Sequence, residues 1–173
     1  MTLYKGKYRV ESTRLLGWDY AWAGWYYVTI CTYDKACFFG DVVDGSVILS
    51  VAGQIVAEEW NKTPQIRANI GLDAWIVMPN HLHGIIIINE SVETSRRDVS
   101  TKDGLRSGSL GAVVGQFKSI CTKRIRSAGY WDFRWQTRFY DHLIRDDEDL
   151  NRIREYIQNN PIQWAMDKLY SAR

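Results

Sequence analysis

The order of periodic segments predicts an α+β fold, a split β-α-β-β-α-β antiparallel sheet followed by one further C-terminal helix. Three observations carry this. The run Ile85-Ile86-Ile87-Ile88, bounded by polar residues, reads as a buried strand, because β-branched side chains pack well on a pleated surface. From Leu110, the residues Leu110, Val113, Val114, Phe117, Ile120, Cys121 and Ile125 fall on one stripe of a helix. A second stripe, Leu150, Ile153 and Ile157, follows Asp146-Asp147-Glu148-Asp149, acidic residues that favour the positive end of a helix dipole.

Taken in order, residues 1 to 24 form an arm in which Lys5, Lys7, Arg9 and Arg14 alternate with Tyr4, Tyr8, Trp18, Tyr20 and Trp22. Two readings are open for it: a surface for single-stranded nucleic acid, with phosphates held by charge and bases stacked on rings, or aromatics packed on the domain. Trp25 to Tyr33 alternates as the first strand. Gly40-Asp41 and Asp44-Gly45 are turn signals. Helical spacing of Val51, Ile55, Val56 and Trp60 predicts a helix from Ser50 that Thr63-Pro64 closes. Ile66 to Val77 reads as a second strand, turning at Met78-Pro79-Asn80 into the third. Residues 89 to 109 lose periodicity and gather Ser, Thr, Arg, Asp and Gly, so a flexible surface insertion is expected there. After the Leu110 helix, Tyr130 to Arg138 repeats the basic and aromatic mixture, with Arg134 and Arg138 among Trp131, Phe133 and Trp135. Phe139 to Ile144 is the fourth strand. The last helix ends at Asn160, because Pro161 disfavours helical geometry before it, and Trp164 to Tyr170 is expected to form a short closing helix. This order matches a ferredoxin-like sheet, in which the third strand lies inside.

With 173 residues and 46% hydrophobic content, the chain is expected to form a single domain with a core of its own. No apolar run approaches the roughly 20 residues that span a bilayer, so no membrane partner is expected. Three widely spaced cysteines and the lack of an apolar leader point to reduced thiols in a cytosol. The net charge of +2 says less than its distribution does. On the Leu110 helix, Lys118, Lys123 and Arg126 fall on the side away from the apolar stripe, while Arg124 lies toward it. With few acids to balance them, the three cations suggest a phosphate-contacting face, and Arg14, Arg134 and Arg138 extend the candidate set.

The chemistry concentrates in Met78-Pro79-Asn80-His81-Leu82-His83-Gly84. Side chains alternate along a strand, so His81 and His83 share a face and Leu82 enters the opposite layer. The chain has three His, and two of them sit at this strand mouth, where they can hold a metal ion together. Tyr156 lies at the edge of the last helix's apolar stripe, with Asn160 four residues on along the same face. Such a set suits phosphoryl chemistry: a divalent ion polarises the phosphate, a tyrosine attacks, and Asn160 offers a third, oxygen ligand. His142 is one strand removed from the pair, which favours a hydrogen-bonded structural role or a DNA contact.

These segments resemble a known family. Met78 to Gly84 is similar to the His-hydrophobic-His motif of the HUH single-tyrosine transposases, and Arg154-Glu155-Tyr156-Ile157-Gln158-Asn159-Asn160-Pro161 to their nucleophile segment. Ser12 to Tyr20, Gly115-Gln116-Phe117-Lys118 and Phe139-Tyr140-Asp141-His142 resemble further stretches of the REP-associated tyrosine transposase branch. The resemblance runs from about Ser12 to Asp167. It implies a ferredoxin-like fold, His81 and His83 as metal ligands with Asn160 as third, and Tyr156 as nucleophile. The implied cofactor is Mg²⁺ or Mn²⁺. The implied partner is single-stranded hairpin DNA, cut through a 5′-phosphotyrosine intermediate by a monomer or by a homodimer. A non-cleaving hairpin-binding regulator of the same fold is the alternative. A hydrolase that activates water would usually need acidic ligands, and Trp75 to Ile88 offers none.

Overall fold

The computed structural model describes residues 18–90 and 108–170, together with the backbone of two short paired strands, β1 (Leu3–Tyr4) and β2 (Tyr8–Arg9). Arg14 and most of the arm and of the 89–109 insertion lie outside the described residues. The central sheet contains β3 (Gly24–Cys31), β6 (Ile70–Met78), β7 (His81–Ile88) and β8 (Tyr140–Ile144), all antiparallel, in the order β6-β7-β3-β8. This is the expected ferredoxin-like order, with the His strand inside and β6 and β8 at the edges. Outside that sheet, β4 (Gly40–Val43) and β5 (Ser46–Leu49) form a hairpin. Only its turn signals, Gly40-Asp41 and Asp44-Gly45, are legible in the sequence.

Two layers cover the sheet. Alternation sends Tyr26, Val28 and Ile30 of β3 and Leu82 and Ile86 of β7 to one face, where helices α1 (Val51–Ile66) and α2 (Leu110–Ser127) bury them. The other face is thinner. Tyr27 and Ile85 pack there against Leu150, Ile153 and Ile157 of α3 (Asp147–Asn159), whose apolar stripe is that narrow. Each helix starts on a side-chain cap: Ser50 Oγ accepts from Gly53 N, Ser109 Oγ from Ala112 N, and an Asp146 carboxylate oxygen from Asp149 N. Two side-chain pairs then tie α3 to both edges of the sheet. Arg154 donates to both carboxylate oxygens of Asp73 on β6, at 2.8 and 2.7 Å, and His142 Nε2 on β8 meets Asp149 Oδ2 at 2.6 Å. His142, expected either to be hydrogen-bonded in a structural role or to contact DNA, bonds the helix that carries Tyr156 and also lines the cleft beside it.

Several local expectations change. Pro64 lies inside α1, which runs two residues further, to Ile66. So close to the end, the ring removes a donor from one carbonyl, Trp60 O, and the Thr63 hydroxyl still bonds Glu59 O at 3.1 Å. The second strand starts at Ile70 and not at Ile66, and the closing segment makes only one 3₁₀ turn, Trp164–Met166. Of the arm's aromatics, Trp18 and Tyr20 pack against the core, and Trp18 Nε1 donates to Tyr26 Oη at 3.1 Å. Trp22 stays half exposed, edge-on to Trp18.

Candidate active site

The His pair opens β7, directly after the Pro79-Asn80 turn, and both rings are buried. Their Nε2 atoms face each other at 2.9 Å. Neighbouring groups set the protons. The Asn80 amide nitrogen donates to Lys35 O and Leu169 O, at 3.0 and 2.9 Å, which turns its Oδ1 toward His81 Nδ1 at 2.7 Å. An amide oxygen only accepts, so Nδ1 of His81 carries the hydrogen and its Nε2 keeps a lone pair. His83 Nδ1 sits between Tyr27 Oη at 2.7 Å and Thr29 Oγ1 at 2.9 Å. Hydroxyls donate or accept, so this pair supports either tautomer of His83. In one of them both Nε2 lone pairs converge on the same point.

Burial pushes the His81 pKa down to about 3, opposed by the adjacent Asn160 amide, and burial also holds His83 well below its ordinary value, with the nearby His81 adding to the fall. Both imidazoles are therefore neutral at neutral pH, the form that binds metal. The 3₁₀ turn brings Asp167 to them, and one ligand atom each from His81, His83 and Asp167 lie within 4.8 Å of one another. Asn160 is fully buried too. It caps α3 with helical dihedrals, so it keeps the face of Tyr156 one turn earlier. Its amide nitrogen donates to Asp167 Oδ2 at 2.9 Å, while its Oδ1 is buried with no hydrogen-bond partner among the described residues. An orphaned amide oxygen beside two neutral imidazoles and a carboxylate fits a divalent cation. These four residues could hold one. Asp167 is the member that sequence spacing does not reveal: Trp75 to Ile88 carries no acid, and Asp167 lies more than eighty residues from His81 along the chain.

Tyr156 stands at the open side of the cluster, 43% exposed, with its ring edge-on to His83 at 5.3 Å between centroids. Its hydroxyl donates to Asp167 Oδ2 at 3.3 Å. Burial, and then the Asp167 charge, push its pKa up to about 12, so the phenol is protonated at neutral pH. A cleft of about 1450 Å³ opens from this point, bounded by Tyr27, Tyr140, Lys118, Arg138 and Arg152 among others.

The other predicted cations separate. Lys118 Nζ donates to Gln136 O and Arg138 O at 2.7 and 3.2 Å, and Arg126 donates to Phe133 O. Two of the three cations on α2 thus also hold the 133–138 segment by its carbonyls, while Lys123 is exposed. Arg134 is stacked on the Tyr33 ring at 4.5 Å. Arg124, read as facing the apolar side, pairs with Glu58 and Glu59 of α1.

Fold and site together describe a ferredoxin-like domain with a tyrosine beside a His-pair donor cluster. No protein-family model matches the chain. An uncharacterised protein of Haemophilus influenzae is 35% identical over 171 residues, 95% of each chain. The REP-associated tyrosine transposase of Escherichia coli is 29% identical over 101 residues, 58% of this chain and 49% of that relative. A solved structure of a REP-associated tyrosine transposase bound to a REP hairpin has the same fold, with a TM-score of 0.61 at 19% identity over 92% of this chain and 77% of that one. The chain is thus similar to REP-associated tyrosine transposases over about half of its length and about half of theirs, and it shares the fold of the hairpin-bound one. Among the described residues no helix is long and apolar enough to cross a membrane.

Proposed function

We propose that the protein cuts and rejoins single-stranded DNA beside a hairpin, with Tyr156 as the nucleophile. One observation carries the reading: a half-exposed phenol set against His83 and Asp167, at the open side of a cluster with a cation's donor set. The relative of known structure is bound to a REP hairpin, which supports hairpin DNA as the partner.

In this mechanism Tyr156 Oη attacks the scissile phosphorus. The Oη–P bond forms, the P–O3′ bond breaks, and Asp167 Oδ2 accepts the phenol proton. The departing O3′ takes up a proton and leaves as a hydroxyl, while the 5′-phosphate stays esterified to Tyr156. That ester keeps the energy of the broken bond, so attack by a 3′-hydroxyl rejoins the strand without ATP. A phenol with a pKa near 12 is a poor nucleophile unaided. Mg²⁺ or Mn²⁺, held by His81, His83, Asp167 and Asn160, would supply Lewis-acid polarisation of the phosphate. Tyr27 and Thr29 orient His83, and Asn80 orients His81, so the chain fixes the direction of both imidazoles beforehand.

The test uses hairpins with single-stranded flanks, taken from the DNA around the protein's own gene, incubated with Mn²⁺. The wild type should form a covalent adduct that mass spectrometry places on Tyr156 through a 5′-phosphate. Tyr156→Phe should bind the same hairpins and form none. Cutting without an adduct would refute the mechanism, and an adduct on Tyr140 or Tyr130 would refute the site. Binding by wild type without any cutting would favour the non-cleaving regulator.

A further inference from the structure

The cleft is larger than a single catalytic centre needs. At about 1450 Å³ it exceeds the roughly 300–1000 Å³ of a small-molecule site, and it continues from His83 and Tyr156 past Tyr27 and Tyr140, over the free edge of β8, to the surface of α2. Four cationic residues line it, Lys118, Arg138, Arg152 and Lys168, against two carboxylates, Asp141 and Asp167. Tyr140 lies between the two ends, 47% exposed and edge-on to Tyr27 at 6.1 Å. An ammonium has three donors, and the two carbonyl bonds of Lys118 leave one for a further acceptor.

The α2 wall adds an independent observation. Gly115 is exposed at mid-helix, and a Cβ built there would meet nothing within 4 Å among the described residues. Packing therefore does not require glycine at this position, although glycine costs a helix interior about 1 kcal/mol relative to alanine. What the missing side chain does leave is room on the cleft wall, one turn before Lys118.

We propose that this arm of the cleft binds an unpaired DNA strand, with a base stacked on Tyr140, a phosphate held by Lys118 and Arg138, and the backbone passing over Gly115. The inference rests on the proposed function for its direction, since the strand it holds would be the one that reaches Tyr156. A flexible strand suits it better than a duplex, because a ring face and a line of cations read backbone and base without pairing.

The probes are fluorescein-labelled dT12 and a blunt twelve-base-pair duplex, read by anisotropy, with dT12 carrying one 5-iodouracil for photocrosslinking. Wild type should bind dT12, crosslink at Tyr140, and lose about tenfold in affinity in Tyr140→Ala, the scale of one lost stacked base. Gly115→Glu puts a carboxylate in the path and should lose at least as much. Gly115→Glu should melt no lower than wild type, since glycine is the weaker helix former, which separates blockage from misfolding. Duplex binding should be unchanged in both variants. Unchanged dT12 affinity in both Tyr140→Ala and Gly115→Glu would overturn the inference, as would a wild type that ignores dT12 or crosslinks only at Tyr33 or Trp131. The adduct on Tyr156 is a separate readout: its absence, with these losses intact, would sink the nuclease reading and leave the strand site standing.

Discussion

Gly84 follows the His pair on β7, and its replacement by alanine offers a test worked directly from the packing. A Cβ at this position would lie 2.4 Å from Trp60 Cζ2, 3.0 Å from Trp60 Cε2 and 3.2 Å from Trp75 Cβ. The first distance is more than 1 Å inside ordinary carbon contact of about 3.5–4.0 Å. Trp60 cannot swing away, since it is 1% exposed and packed edge-on to Phe117 at 5.2 Å. The strain must therefore move β7 or α1, an overpacking that costs about 1–3 kcal/mol. For a chain of this size each 1 kcal/mol lowers the melting temperature by about 2–4 °C, so Gly84→Ala should melt roughly 2–12 °C below wild type. A double-mutant cycle isolates the cause. Trp60→Leu removes both clashing indole atoms at a cavity cost of its own, and in that background Gly84→Ala should cost less than about 1 kcal/mol. Equal cost in both backgrounds, by thermal or urea melting, would refute the claim that this glycine makes room for the indole.

The remaining expectations concern the site. His81→Ala and His83→Ala should abolish Mn²⁺-dependent cleavage while hairpin binding persists, and Mn²⁺ should serve better than Mg²⁺ because nitrogen ligands favour the later metal; full activity of the double variant in EDTA would refute the ligand assignment. Both imidazoles are held neutral by burial, so between about pH 6.5 and, for His81, about 3 the unfolded chain takes up protons that the native one refuses. Stability should thus fall with falling pH in that window, by roughly 1.4 kcal/mol per pH unit for each histidine, and His81→Asn should flatten the slope measured by urea titration at several pH values. Lys118→Gln combined with Arg138→Gln should reduce the slope of log K against log salt for single-stranded DNA by about 1.4, and an unchanged slope would mean that neither side chain meets a phosphate.

By itself the sequence determined the topology and pointed to four of the five residues of the candidate site, all but Asp167. Periodicity is local: the four Ile residues of β7, the stripe from Leu110 to Ile125 and the acidic start of α3 announce their elements because side-chain spacing follows backbone geometry. Residues close in sequence on one element were legible in the same way, so His81 with His83, and Tyr156 with Asn160, could be placed on shared faces before any contact was known. The β4–β5 hairpin escaped because its strands of four residues carry too little period to register. Tertiary structure alone decided what meets across elements. It brought Asp167 to His81, turned Lys118 and Arg126 onto the carbonyls of the 133–138 segment, and fixed α3 to both sheet edges through Asp73 and His142. These contacts follow from how helices and turns seat on the finished sheet, and charge carries no period along the chain. A cation that also holds a carbonyl and one that holds none therefore look alike in the sequence, and only packing tells them apart.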